Sequence, residues 1–191
     1  MNVVPDKKSS VYIRLDDIDH FNFFCKTLYA SLLASLPMHH HEVVILCIGT
    51  DRATGDSLGP LVGYKLMDLN LNHVTVFGTL ESPVHAKNLN EIIHLIQLYH
   101  AHALVIAIDA SLGTLKNVGS ITLGEGSIKP GAGVQKDLPE IGDLHITGIV
   151  NFSSLMNMAI LQNTRLDTVM KMADVIASGI RYCLWKYYKM L

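Results

Sequence analysis

Two short runs constrain this chain more than any other feature: Val43-Val44-Ile45-Leu46-Cys47-Ile48 and Ala103-Leu104-Val105-Ile106-Ala107-Ile108. Neither run alternates with polar residues. A half-exposed strand alternates with period two, so an unbroken, β-branched run this short reads as a strand covered on both faces. Cover on both faces is what crossover helices give a parallel sheet.

The remaining pattern supplies those helices. Residues 17–36 repeat apolar positions at helical spacing (Phe21, Phe24, Leu28, Leu32), with Asp16 or Asp17 as a cap and Pro37 as a stop. A second helical pattern runs from Ser57 to about Asn70. A third opens at Asn88, with Glu91 three positions on as in a capping box, and runs to about Tyr99. Val74 to Phe77 reads as a strand stopped by Gly78, and Leu144 to Val150 as another. Val118 to Leu123 alternates more and reads as an edge or antiparallel strand. Residues 124–143 form the longest irregular stretch, and 153–162 and 167–188 finish as helices. Residues 1–15 read as a polar arm. Strands alternating with helices predict an α/β domain with a mainly parallel sheet. Residues 1–42 read as an arm and helix packing on the core, and 43–191 as the α/β domain, within a single domain overall.

Composition narrows the function. Hydrophobic residues make up 49% and charged residues 17%, too apolar for a disordered chain. The net charge of −2 offers no basic excess to neutralise phosphates, so no nucleic acid is expected as partner. Cys25, Cys47 and Cys183 are far apart, in neither zinc nor disulfide-framework spacing, which predicts a cytoplasmic setting. Asp16, Asp17 and Asp19 interrupt any signal-peptide core, and no apolar run reaches membrane-spanning length, so no membrane is expected either.

Ligands of open parallel sheets bind beyond the carboxyl ends of the strands. Both apolar runs lead into aspartates there. The first continues Gly49-Thr50-Asp51-Arg52-Ala53-Thr54-Gly55-Asp56-Ser57, and the second ends directly on Asp109. If those strands are neighbours, Asp56 and Asp109 face each other. Two facing carboxyls do not both ionise readily, so the pair holds one proton and can activate a water. The alternative is structural: Asp56 capping the following helix and Asp109 a turn. The first loop is a poor phosphate loop. Five residues separate Gly49 from Gly55, one too many, and Asp56 stands where the lysine belongs. Ser57 and Ser111 lack a nucleophile-elbow context. Cys47 sits in an apolar strand as a packed thiol. His39-His40-His41 read as a solvated turn; His85 and His145 are the two candidates for a third metal ligand beside the aspartates. Gly131 and Gly133, in Lys129-Pro130-Gly131-Ala132-Gly133, permit close backbone approach to a substrate chain or form a tight turn.

These motifs carry a resemblance. Gly49 to Pro60, with its Asp56-Ser57-Leu58-Gly59-Pro60 end, resembles the first signature of the germination protease of bacterial spores. Val105 to Ala110 resembles its second, a strand ending in Asp-Ala. Lys129 to Val134 resembles its Pro-Gly-x-Gly-Val loop, in the same order along the chain. The string Gly49-Thr50-Asp51-Arg52-Ala53-Thr54-Gly55-Asp56-Ser57-Leu58-Gly59-Pro60 resembles more specifically the small YyaC-type sporulation proteins of endospore formers. The implied fold is the phosphorylase/hydrolase-like three-layer α/β/α sandwich, shared with hydrogenase maturation endopeptidases.

The resemblance implies that Asp56 and Asp109 are the catalytic pair of a sporulation-associated peptidase. Gly55, Ser57, Gly131 and Gly133 would line the substrate chain. In the hydrogenase endopeptidases the corresponding acidic residues are metal ligands joined by a His; the matching segment here holds Lys129-Pro130-Gly131, so neither metal nor cofactor is expected. The implied partner is a protein or peptide substrate in the forespore or spore core. A non-enzymatic binding module and a metal-dependent maturation endopeptidase stand as alternatives, and the oligomeric state is left open.

Overall fold

The computed structural model describes residues 10–131 and 138–191. At the centre of a six-stranded sheet lie β2 (Val43–Cys47) and β4 (Leu104–Gly113), parallel, with Val43 opposite Leu104. β3 (Val74–Phe77) flanks β2, and β6 (Leu144–Phe152) flanks β4, both parallel. β5 (Ser120–Glu125) pairs antiparallel with β6, and β1 (Val11–Arg14) antiparallel with β5. The order across the sheet is β1-β5-β6-β4-β2-β3.

Two core clusters explain the apolar runs. Val43, Ile45 and Cys47 face one side of the sheet, where α1 (His20–Ser35), α2 (Leu58–Leu66) and α5 (Leu166–Tyr188) bury Phe24, Leu28, Val62 and Ile176. Val44, Leu46 and Ile48 face the other side, covered by Leu89 and Ile96 of α3 (Leu89–Tyr99) and by Leu138. Helices on both faces make three layers, as the sequence predicts. Each fully buried Val, Leu or Ile contributes roughly 1.5–3 kcal/mol, so a polar residue on either face of β2 would be costly.

Several local expectations are corrected. Part of the polar arm is a strand: β1 joins the sheet edge, with Ile13 buried and its neighbours more exposed, a burial alternation too short to read in sequence. α1 starts at His20 after Asp19, so neither Asp16 nor Asp17 caps it; the Asp16 carboxylate is taken by Arg14 at 2.7 Å. α1 ends at Ser35, just before Pro37 as expected, and Pro37 then sits in the first turn of a 3-10 segment, Leu36–His39, where its missing N–H costs nothing. The Asn88 side chain does not close a capping box onto α3. It turns back, accepting from the His85 N–H at 2.8 Å and donating to the Pro83 carbonyl at 3.1 Å. The histidine run is also less solvated than expected: His41 Nδ1 and Tyr187 Oη lie 2.6 Å apart, and the His40 and His102 rings sit 4.6 Å apart.

Candidate active site

The site grows from the end of β2. Ile48 continues the sheet by one bridge to Val84, its N–H donating to the Ile108 carbonyl at 2.7 Å. The Gly49 N–H donates to the Val84 carbonyl at 2.8 Å. The chain then leaves the sheet and returns: the Thr50 N–H donates to the Asp56 carbonyl at 3.0 Å. Gly49 is irreplaceable in this closure. Its φ is +139°, and a Cβ there would stand 2.0 Å from the Asp56 carbonyl oxygen. A 3-10 turn, Thr54–Ser57, delivers Asp56 to the start of α2.

Asp109 sits inside a strand. The sequence predicts a strand ending there, but β4 continues to Gly113 because β6 pairs with it that far, with a register shift between Ser111 and Leu112. Asp109 is paired with Thr147 and is only 5% exposed. Its side chain shares the face of Val105 and Ala107, toward the irregular segment after β5. There Oδ2 accepts the Gly131 N–H at 3.1 Å, while Oδ1 accepts the Ala110 N–H at 2.8 Å.

Electrostatics tie the two carboxyls together. Burial pushes Asp109 up to about 7; the Asp56 charge adds to the rise, and the Gly131 and Ala110 amides oppose it. Burial also raises Asp56 to about 6, against the Thr50 main chain and the neighbouring His85. Burial thus raises both carboxyls, and Asp109 feels the charge of Asp56.

The other sequence candidates are placed as follows. Gly131 meets Asp109 through its amide. Gly55 is buried against α4 (Asn157–Gln162) and the turn after it, where a Cβ would stand 2.8 Å from Leu161 Cδ2 and from Thr164 Oγ1. Ser57 is buried, its hydroxyl donating to the Thr54 carbonyl at 2.7 Å. Gly133 lies outside the described residues. His145 is not beside the pair in a usable form: Nε2 is 3.1 Å from Ser10 Oγ, and Nδ1 is 2.9 Å from the Gly126 carbonyl. His85 is the histidine that the fold brings to Asp56. Sequence reasoning missed that the amides of Thr50 and Ala110 join the site, since no side-chain signal marks a backbone donor. Among the described residues no three His, Cys, Asp or Glu side chains converge as a metal site, and both oxygens of Asp109 already face amides. The described donors do not fit the metal centre of the hydrogenase endopeptidases, and no step below passes through a metal.

Comparison with known proteins places the chain. A family model described as "Protein of unknown function (DUF1256)" matches residues 13–179. The chain belongs to the DUF1256 family. The uncharacterized protein YyaC of Bacillus subtilis (strain 168) is 59% identical over 138 residues, which cover 72% of this chain and 67% of YyaC. Among solved structures, the [NiFe] hydrogenase maturation protease HycI from Thermococcus kodakarensis superposes with a TM-score of 0.55. That match covers 83% of this chain and 98% of HycI, at 16% identity. A likeness at that identity establishes the shared α/β fold, and with it the fold that the sequence resemblance implies. Among the described residues no helix is long and apolar enough to cross a membrane.

Proposed function

We propose that this DUF1256 member is a peptidase that uses Asp56 and Asp109 as a one-proton carboxyl pair with an activated water. The observation that carries the reading is the pair itself: one carboxyl in β4 and one in the turn after its parallel neighbour β2, both pushed up by burial, with the Asp56 charge adding to the rise of Asp109. The protease fold of HycI and the resemblance of the flanking motifs to the germination protease support it.

The roles follow from the surroundings. Asp109 is the more deeply buried and holds the shared proton. Asp56 is the less buried, stands beside His85, and is the base. Asp56 takes a proton from water as the water oxygen bonds to the scissile carbonyl carbon. The protonated Asp109 donates to the carbonyl oxygen as charge develops there. When the C–N bond breaks, the proton taken by Asp56 passes to the leaving amine, and the carbonyl oxygen returns its proton to Asp109 as the carboxylic acid forms. The main-chain amides of Gly55, Ser57 and Gly131 flank the substrate chain. The substrate is a spore or sporulation protein, and the enzyme acts in the forespore or spore core.

The test is a cleavage screen by mass spectrometry. Purified protein is incubated with a spore-protein extract beside Asp56→Asn and Asp109→Asn. New termini made by wild type and by neither variant support the peptidase. An extract left intact by correctly folded wild type overturns it and leaves the binding-module reading.

A further inference from the structure

The outward face of α5 carries large side chains that the carboxyl pair does not use. Asp174, Ser178, Arg181, Tyr182, Trp185 and Lys189 follow one another at steps of four, three, one, three and four residues. At helical pitch these steps place all six within an arc of about 100°. Trp185 is 50% exposed and Tyr182 46%, with their rings 6.4 Å apart. Lys189 Nζ stands 4.9 Å from the centre of the Trp185 ring. Beside them opens a groove of ≈ 500 Å³, with Leu69 and Leu71 after α2 on one wall and Ser178, Arg181, Tyr182 and Trp185 on the other. Trp, Tyr and Arg are the side chains most enriched among those that dominate protein interfaces, and an exposed aromatic pair beside a groove marks a contact surface.

The steps read the same from either end. A second α5 laid antiparallel across this face, about a two-fold axis between Arg181 and Tyr182, sets Asp174 at the level of Lys189, Ser178 at that of Trp185, and Arg181 at that of Tyr182. Each contact occurs twice, and each is complementary. An acid meets a base. A small side chain faces the largest one. A guanidinium meets a phenol ring, on which it can stack. These groups remain available in the single chain. The Asp174 side chain is 60% exposed, although one oxygen lies 2.7 Å from Lys65 Nζ. Arg181 donates through Nη2 to the Lys65 carbonyl and to Asp68 Oδ1, both at 2.6 Å, which fixes the guanidinium while the side chain stays 39% exposed. Charge also follows this direction along the helix. Both acids of α5, Asp167 and Asp174, stand in its first half; Arg181, Lys186 and the following Lys189 stand in or beyond its second. An antiparallel pair sets unlike halves together, and a parallel pair would set like against like.

We propose that this chain forms a two-fold dimer through α5, with Trp185 of each copy seated against Ser178 in the groove of the other. Self-complementarity is what selects a second copy over an unrelated partner, because a two-fold contact uses the same patch on both sides. The contact lies toward the amino ends of the strands, where Tyr187 of α5 meets His41 ahead of β2. Asp56 and Asp109 stand at the other end of the sheet, so both carboxyl pairs of the dimer stay open. The dimer holds whether or not those pairs cleave peptides.

Trp185 is the only tryptophan of the chain, so its fluorescence reports the contact directly. The full chain is followed from about 1 to about 200 μM by sedimentation velocity and by tryptophan emission. Monomer should pass to dimer and to nothing larger, and emission should move to shorter wavelength over the same range as Trp185 leaves water. Trp185→Ala should weaken the dimer at least about tenfold, read by sedimentation. Lys189→Glu and Asp174→Lys should each weaken it about fivefold, since every contact occurs twice. Combined in one chain they exchange the charges and should recover most of that loss. Tyr99→Ala, at an exposed aromatic of α3, should leave association unchanged. Circular dichroism confirms that each variant is folded. A chain that stays monomeric throughout overturns the proposal and leaves the face to a different protein or to none. A dimer indifferent to Trp185→Ala, a charge exchange that restores nothing, or species that keep growing with concentration overturns it equally.

Discussion

The main-chain N–H of Gly131 reaches Oδ2 of Asp109 at 3.1 Å, so the irregular segment after β5 holds the most deeply buried carboxyl among the described residues in place. The same contact sets charge. An amide donor stabilises the ionised carboxyl and works against burial, which keeps Asp109 near neutral pH instead of far above it.

Asp56→Asn and Asp109→Asn should each lower cleavage by at least about 10²-fold, the scale of lost general acid–base catalysis. Asp109→Asn also turns an NH₂ group toward either the Ala110 or the Gly131 amide, so it should cost some stability. Initial rates on a peptide recovered from the cleavage screen, with thermal melts alongside, distinguish the two effects. Asp56→Asn carries the cleaner result, because one main-chain donor, Thr50, bears on its carboxyl where two bear on Asp109.

The pair acts while singly protonated. Activity should rise as Asp56 ionises near about 6 and fall as Asp109 loses its proton near about 7. The pH profile of kcat/KM for the wild type should therefore be a narrow bell belonging to the pair. A flat profile from pH 5 to 8 would contradict a shared proton.

Stability should respond to pH through the same groups. Both folded values lie above the ordinary 3.8, so the folded state holds protons that the unfolded state has released. The resulting stability is fully present below about pH 4. It declines as pH rises toward about 7, by an amount on the order of a few kcal/mol. Urea midpoints at pH 5 and pH 8 should show wild type losing stability upward, and Asp109→Asn losing less.

Gly49→Ala should destabilise the fold by more than about 1–3 kcal/mol, the usual scale of a strained backbone position. The positive φ disfavours any side chain, and the added carbon would meet the Asp56 carbonyl. A lowered melting temperature, together with lost cleavage in whatever fraction folds, would place the fault in the loop that carries Asp56. Thermal scans and rates on the same sample check both parts.

The central strands were legible because both faces of β2 and the first half of β4 are buried, which leaves no room for a polar residue. Asp109 was legible because it follows its run directly, and Asp56 because it stands in the loop that follows the other run. Other features were not. β1 buries only Ile13, too little to write a pattern. The extension of β4 past Asp109 is imposed by pairing with β6, through residues Ser111 to Gly113 that are themselves only partly buried. His85 stands out from the ten histidines in the sequence only as one of two candidate ligands, beside His145. What brings it to Asp56 is the bridge between Ile48 and Val84, a contact between segments far apart in the chain.

That Asp109 lies within a paired strand, and not on a loop, separates two tasks that many enzymes mix. Strands β2 and β6 hold β4, the strand that carries Asp109, while the 79–88 segment is held by its own internal hydrogen bonds. Exchange of that segment between family members should leave Asp109 in register. The architecture is modular in that sense: a fixed tool with an interchangeable jaw.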